Sequence, residues 1–276
     1  MHFDVRPAAV AGLFYPEEGA ELWATVERLL AAAAEPPPGP RPKAIIAPHA
    51  GYPYSGPIAA SAFRALTAAA AAGADGEPPI ERVVVLGPSH YVPFDGVALP
   101  GSPRFATPLG EMEIDPMGSR AALRLPQVRV MPAAHEREHS IEVELPFLRV
   151  ALGEVRIVAL VVGRADPGEV AEVLDAVWGG PETAIVVSSD LSHYLPYDRA
   201  RETDRATADQ ILALREPLDP RQACGAAPIN GLLRAARERG MAAELLDLRS
   251  SADTAGDPSR VVGYGAFAFH ARALHE

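Results

Sequence analysis

The sequence predicts an α/β fold: a single domain over residues 1–276, with a largely parallel or mixed central sheet and helices on both faces. Three observations predict it. Short β-branched and aliphatic runs, such as Val83–Val84–Val85–Leu86 and Ile185–Val186–Val187, read as buried strands. They alternate with segments of helical apolar spacing, the pattern of a sheet covered on both sides. Three of the runs also end in histidine: 43–47 leads to His49, 82–87 to His90, and 184–187 to Asp190 and His193. Ligands of open α/β sheets bind in the crevice beyond the carboxyl ends of the strands, so three such exits imply one shared site.

Taken in order, residues 19–34 place Leu22, Val26, Leu29 and Leu30 on one helical face. Residues 35–42, Glu-Pro-Pro-Pro-Gly-Pro-Arg-Pro, form a stiff connector into the strand at 43–47. A turn-rich loop at 49–56 precedes an Ala-rich helix from about Pro57 to residue 72. Proline suits its first position, where the missing donor is no loss. A surface loop at 73–79 leads to the second strand. Residues 91–112, rich in Pro and Gly, are expected to be irregular and to cover the site, apart from a short strand at 97–99. A strand at 128–131 follows, then a helix at 140–152 bent by Pro146, a strand at 155–163 and a helix at 167–178. A charged helix at 198–215 comes after the histidine-bearing strand at 184–187. The segment Cys224–Gly225–Ala226–Ala227–Pro228 opens a helix to about Gly240, and strands at 244–248 and 261–269 close the chain.

The 25 Lys and Arg against 36 Asp and Glu give a net charge of −11, which argues against nucleic acid or an anionic membrane as partner. No stretch approaches the roughly 20 apolar residues of a membrane helix. No secretory signal is visible at the N-terminus. The single cysteine excludes an intrachain disulfide, and a cytoplasmic protein is expected. A homodimer is compatible with a chain of this size and acidity.

Histidine is both the commonest metal ligand and the side chain that titrates near neutrality. His49, His90 and His193 therefore suit a metal site, an acid–base site, or both. Asp190 either ligates a metal, orients an imidazole, or caps the turn after its strand. Cys224, just ahead of a helix N-terminus, is placed for a lowered thiol pKa, and a thiolate with two histidines suits iron, copper or zinc. Tyr52 and Tyr54 either line a pocket or pack. The string His135–Glu136–Arg137–Glu138–His139 matches the zinc motif H-E-x-x-H, which needs both histidines on one face of a packed helix. Pro132 lies just upstream and apolar periodicity begins only at Ile141, so the segment reads as an exposed approach to a helix. His139, Ser140 and Glu142 stay candidates for the pocket.

Several motifs carry a resemblance to a known family: Ala47–Pro48–His49–Ala50–Gly51–Tyr52, Leu86–Gly87–Pro88–Ser89–His90, Glu138–His139–Ser140–Ile141–Glu142, Ser188–Ser189–Asp190–Leu191–Ser192–His193–Tyr194, Cys224–Gly225, and Val262–Gly263–Tyr264–Gly265–Ala266. In this order they resemble the Memo family, whose prokaryotic members are called AmmeMemoRadiSam system protein B. That family is similar in fold to the catalytic subunits of class III extradiol dioxygenases, which hold non-haem iron with two histidines and a carboxylate. The resemblance implies His49 and His90 as metal ligands, with Cys224 in place of the carboxylate. It implies His193 as acid–base residue; Asp190 is a further catalytic candidate, and Tyr52, Tyr54, Ser89, His139 and Glu142 are candidates for places in or behind the pocket. An iron or copper cofactor, a small-molecule or peptide ligand, and radical-SAM and AMMECR-type pathway partners are further expectations. A redox enzyme and a non-catalytic binding protein that keeps the pocket are the two functions it leaves open.

Overall fold

The computed structural model describes residues 4–71 and 78–271. Its strands are β1 (Ala44–Ala47), β2 (Arg82–Pro88), β3 (Val97–Leu99), β4 (Arg104–Thr107), β5 (Gly110–Glu113), β6 (Val128–Val130), β7 (Arg156–Val162), β8 (Thr183–Ser188), β9 (His193–Leu195), β10 (Met241–Ser250) and β11 (Val261–Ala271). Its helices are α1 (Gly19–Ala32), α2 (Tyr52–Ala71), α3 (Pro116–Ala122), α4 (Pro132–Glu136), α5 (Leu145–Leu152), α6 (Pro167–Val177), α7 (Tyr197–Leu212) and α8 (Ala226–Glu238).

The main sheet runs β10-β11-β1-β8-β2-β7-β3-β6, with β9 also on β11. Strands β1, β8, β2 and β7 are mutually parallel. Antiparallel β11 and β10 extend one edge, and β3, antiparallel to β7, starts the other. The sheet is thus mixed around a parallel centre. Alternation along each strand divides the core in two. Ile45, Val83, Val85, Ile157, Ala159 and Val186 face α1, α2 and α5. Ile46, Val84, Leu86, Val158, Leu160 and Val187 face α6, α7 and α8. Both faces are buried, so these strands read as continuous apolar runs.

Three elements depart from the sequence expectation. Helix α2 begins at Tyr52 rather than Pro57, because Gly51 and Ala50 carbonyls accept from Tyr54 N, Ser55 N and Ser55 Oγ and start the turn earlier. Pro57 then lies inside the helix near its N-terminal end, at the loss of one backbone bond. Residues 104–113 form the hairpin β4-β5, closed at Gly110 with φ +107°, a conformation that favours glycine. The hairpin runs on to Ile114, which bridges Ile157 at the start of β7, the strand end remote from the histidines. Residues 142–144 are a 3-10 turn before α5, whose first turn holds Pro146. The expected loop at 73–79 lies largely outside the described residues.

Candidate metal centre

Strand β8 sits between β1 and β2, so the loops leaving β1 and β2 flank its carboxyl end. His49 follows β1 by two residues and His90 follows β2 by two. A third element, the loop at 137–141, reaches over β2. It can do so because position 87 is glycine: a Cβ there would stand 2.4 Å from Ser140 Oγ. Ser140 Oγ in turn donates to the Pro88 carbonyl at 2.9 Å.

This packing brings together the rings of His49, His90 and His139. One ring nitrogen from each lies within 4.8 Å of the others, an arrangement that could hold a metal ion. His90 and His139 stack at 4.7 Å between centroids, and His49 meets both edge-on. Two of the rings are held from behind. His49 Nδ1 is 2.7 Å from Ser188 Oγ, and His90 Nδ1 is 2.8 Å from Glu138 Oε1. Among the described residues the buried His139 Nδ1 has no hydrogen-bond partner, Glu138 Oε1 standing 3.6 Å away, so this nitrogen is available to a ligand. Held at Nδ1, His49 and His90 turn Nε2 forward, the arrangement that outer hydrogen bonds impose on metal-binding histidines, and the His49 Nε2 lies 3.3 Å from Cys224 Sγ.

The electrostatics fit neutral, lone-pair-bearing rings at His49 and His139. Burial pushes His49 well down, and the neighbouring His90, His139 and His193 push the same way. Burial, with His90, brings His139 down to about 4. Burial alone would raise Glu138, but hydrogen bonds from the His90 ring and the N–H groups of His90 and Ser140 bring it down to about 2. It faces the histidines as a fixed anion.

Cys224 Sγ is 3.3 Å from His49 Nε2, and Gly225 lets this loop lie against β8, since a Cβ there would meet Ser189 at 2.6 Å. Burial and the nearby Asp190 push the thiol up to about 12, against the lowering expected from a helix N-terminus. The helix begins only at Ala226 and does not compensate for lost water. Asp190 accepts the His49 backbone N–H at 2.9 Å and is pushed up to about 6, chiefly by burial. His193 lies outside the three-ring cluster on β9, its Nδ1 donating to the Leu191 carbonyl at 2.8 Å. Tyr52 is buried against Tyr15 and Phe147 with its hydroxyl on the Val143 carbonyl, whereas Tyr54 is exposed. Ser89 donates to the Val92 carbonyl and, with Cys224, lines a cavity of about 740 Å³ between β2, β7 and α8. Glu142 is fully buried behind the site. It accepts from the Arg6 guanidinium, the N–H groups of Ala9 and Val10, and the Tyr15 hydroxyl.

The sequence model of the family described as Memo-like protein matches residues 6–268. The chain belongs to the Memo family. It is 36% identical to a MEMO1 family protein of Methanopyrus kandleri, covering 96% of this chain and 98% of the relative. It is 34% identical to one from Aquifex aeolicus, covering 94% and 97%. A third relative, from Methanothermobacter thermautotrophicus, is also 34% identical over 94% of this chain and 98% of its own length.

In this Memo chain the string at 135–139 is not a zinc helix. Helix α4 ends at Glu136, so His135 and His139 do not share a helical face. The segment is exposed only in part: Glu136 and Arg137 face solvent, whereas His135 and Glu138 are 2% and 3% accessible. His135 points away from the cluster, its Nε2 donating to the Ala98 carbonyl at 2.9 Å. His139, read from the sequence as a pocket residue, stands in the ring cluster itself. Glu138 and Ser188 were not singled out, because their partners lie 48 and 139 residues away in sequence. Only the position of Glu138 beside His139 in a recognisable motif could have flagged it.

Burial holds His135 down to about 4, so the folded chain keeps it neutral where the unfolded chain, near 6.5, takes up a proton. Its contribution is present above pH 6.5 and is lost as pH falls from about 6.5 to about 4, by roughly 3 kcal/mol. His139 titrates in the same window. Urea melts of chelated protein across that range should show the decline, and His135→Gln should remove about a third of it, since His49 and His139 are held down as well. An unchanged slope in the variant would refute the assignment.

Proposed function

We propose that the chain is a metal-dependent redox enzyme of dioxygenase-like type. His49, His90 and Cys224 would hold a mononuclear iron or copper ion, with His139 as an added nitrogen. The observation that carries this reading is the convergence of three imidazoles, two held at Nδ1 and one with an orphaned buried nitrogen. A sulfur 3.3 Å from His49 Nε2 would add a soft donor of the kind copper and iron accept once metal binding displaces its proton. When bound, the ion would supply Lewis-acid and redox chemistry toward a phenolic substrate.

The protein's own groups then have defined tasks. His193 carries its proton on Nδ1, facing the Leu191 carbonyl, so Nε2 can take a proton from a substrate hydroxyl. Asp190 holds the His49 backbone in place. The cavity past Ser89 and Cys224 offers a route to the sulfur side of the centre. A cytoplasmic setting and radical-SAM or AMMECR-type partners belong to the same proposal, supported by the name of the family's prokaryotic members. Among the described residues, no helix is long and apolar enough to cross a membrane.

One observation favours a second reading, a binding protein without turnover. Both carboxylates beside the rings are engaged, Asp190 by the His49 N–H and Glu138 by His90, so neither completes a two-histidine, one-carboxylate set. Elemental analysis and EPR of protein purified without oxygen, with a panel of catechols, separate the readings. The enzyme reading expects one iron or copper ion per chain, lost in His49→Ala and His90→Ala. His193→Ala should keep the metal and lose turnover. Comparing His139→Ala with Cys224→Ala identifies the remaining ligand. A wild type that stays metal-free with added Fe(II), Cu(I) or Zn(II) would overturn both metal assignments, and metal without turnover would favour the binding protein.

A further inference from the structure

Three glutamates, Glu138, Glu142 and Glu144, are buried within seven residues, and each is compensated differently. Glu138 faces His90 and backbone N–H groups, and Glu142 faces Arg6. Glu144 is fully buried and, among the described residues, has one hydrogen-bond partner, Ser188 Oγ, 2.7 Å from Oε1, while its Oε2 has none. Among the described residues the groups that act on it are Ser188 and Asp190, and neither is a cation.

The hydrogens around Ser188 decide its state. Ser188 Oγ has three neighbours at hydrogen-bond distance: the Ser140 carbonyl at 2.5 Å, Glu144 Oε1 at 2.7 Å and His49 Nδ1 at 2.7 Å. A hydroxyl carries one hydrogen and two acceptor lone pairs. The Ser140 carbonyl can only accept, and two oxygens 2.5 Å apart need a proton between them, so the serine hydrogen goes there. The other two neighbours must each bring their own.

We propose that Glu144 is a positioning residue: a neutral carboxylic acid that donates to Ser188 Oγ, completes its hydrogen bonding and holds His49 as the Nδ1–H tautomer with the Nε2 lone pair turned to the site. Burial and the charge of Asp190 both act to keep the proton on Glu144, against the opposing pull of the Ser188 hydrogen bond. The titratable groups around it are Asp190 from the loop after β8, Tyr52 from α2 and, beyond Ser188, His49 after β1. Glu142 turns away toward Arg6 and Tyr15. An ionised Glu144 would compete with Ser140 for the single serine hydrogen and leave a buried charge with an unpaired oxygen, a costly state. The consequence for metal binding rests on the reading of His49 as a ligand; the proton assignments do not.

Both assignments can be read in metal-free protein. Infrared spectra at neutral pH should contain a protonated-carboxyl band that is absent from Glu144→Gln. Nitrogen-15 NMR of the histidine rings should show His49 protonated on Nδ1 and bare on Nε2, in wild type and in Glu144→Gln, whose amide still donates to Ser188. Glu144→Met, which cannot donate, should mix the His49 tautomers and weaken metal binding about 10-fold or more, while Glu144→Gln stays near wild type. Absence of the carboxyl band, or a His49 proton on Nε2, would overturn the proposal even if metal binds. The band and the tautomer without any metal binding would sustain it and refute only the metal reading.

Discussion

Alanine at Glu142 should lower the unfolding free energy by about 3–5 kcal/mol, the usual result of removing one partner from a buried ion pair. The carboxylate is fully buried and accepts from Arg6, Ala9 N–H, Val10 N–H and Tyr15 hydroxyl, so alanine leaves a cation and three donors without their acceptor. Arg6 cannot retreat to water, because its Nε and second terminal nitrogen are bound to the carbonyls of His135 and Glu138. Urea midpoints of wild type, Glu142→Ala and the double variant Arg6→Met/Glu142→Leu measure the effect. The double variant should recover part of the loss, since an apolar pair replaces an ion pair at little cost. A shift under about 1 kcal/mol in the single variant would show that the pair is not what holds residues 6–15 down.

Glu138→Gln should weaken metal binding about 10- to 100-fold, because it replaces the anion that orients His90. The wild-type carboxylate accepts His90 Nδ1–H at 2.8 Å, His90 N–H at 2.6 Å, and the N–H groups of His139 and Ser140 at 2.9 Å each. A glutamine has one acceptor oxygen and must turn its amide donors toward some of these donors. The same substitution has a signature in acid. With Glu138 held down to about 2 from an ordinary 4.5, its contribution is present above the unfolded value and is lost as pH falls from about 4.5 to about 2. That contribution is roughly 3 kcal/mol, so the variant should be less stable at neutral pH and nearly level with wild type at pH 2. Metal titration and acid melts test the two effects separately. Unchanged metal affinity would remove Glu138 from the centre's support.

Much of this was legible in the sequence, for identifiable reasons. Strands buried on both faces leave continuous apolar runs, so β1, β2, β7 and β8 could be read, and their histidine-bearing exits with them. The order β1-β8-β2, which sets His49 and His90 on either side of Ser188, is a matter of pairing and left no local trace. The hairpin β4-β5 was missed because two four-residue strands, one of them mostly exposed, show little periodicity. His139 was placed near the pocket but not in the ring cluster, since its position depends on Gly87 admitting the loop over β2. The state of Cys224 was misjudged because helix proximity is visible in sequence while burial beside Asp190 is not.

The grip of Glu142 on Arg6 also sets a timetable. The two residues are 136 positions apart, so during synthesis at roughly 5–20 residues per second the segment carrying Arg6 and Tyr15 waits about 7–27 s for its anchor. Until then Phe14, whose carbonyl accepts from Tyr52 N–H, lacks the His139 ring that ends 4.8 Å from its own. The histidine of the mid-chain loop and the aromatic that walls it are therefore joined late, by a contact that closes most of the first half of the chain. Contacts of such long range slow folding more than they raise stability. A nascent chain released short of residue 142 would carry His49 and His90 but neither His139 in its final place nor the segment that covers it.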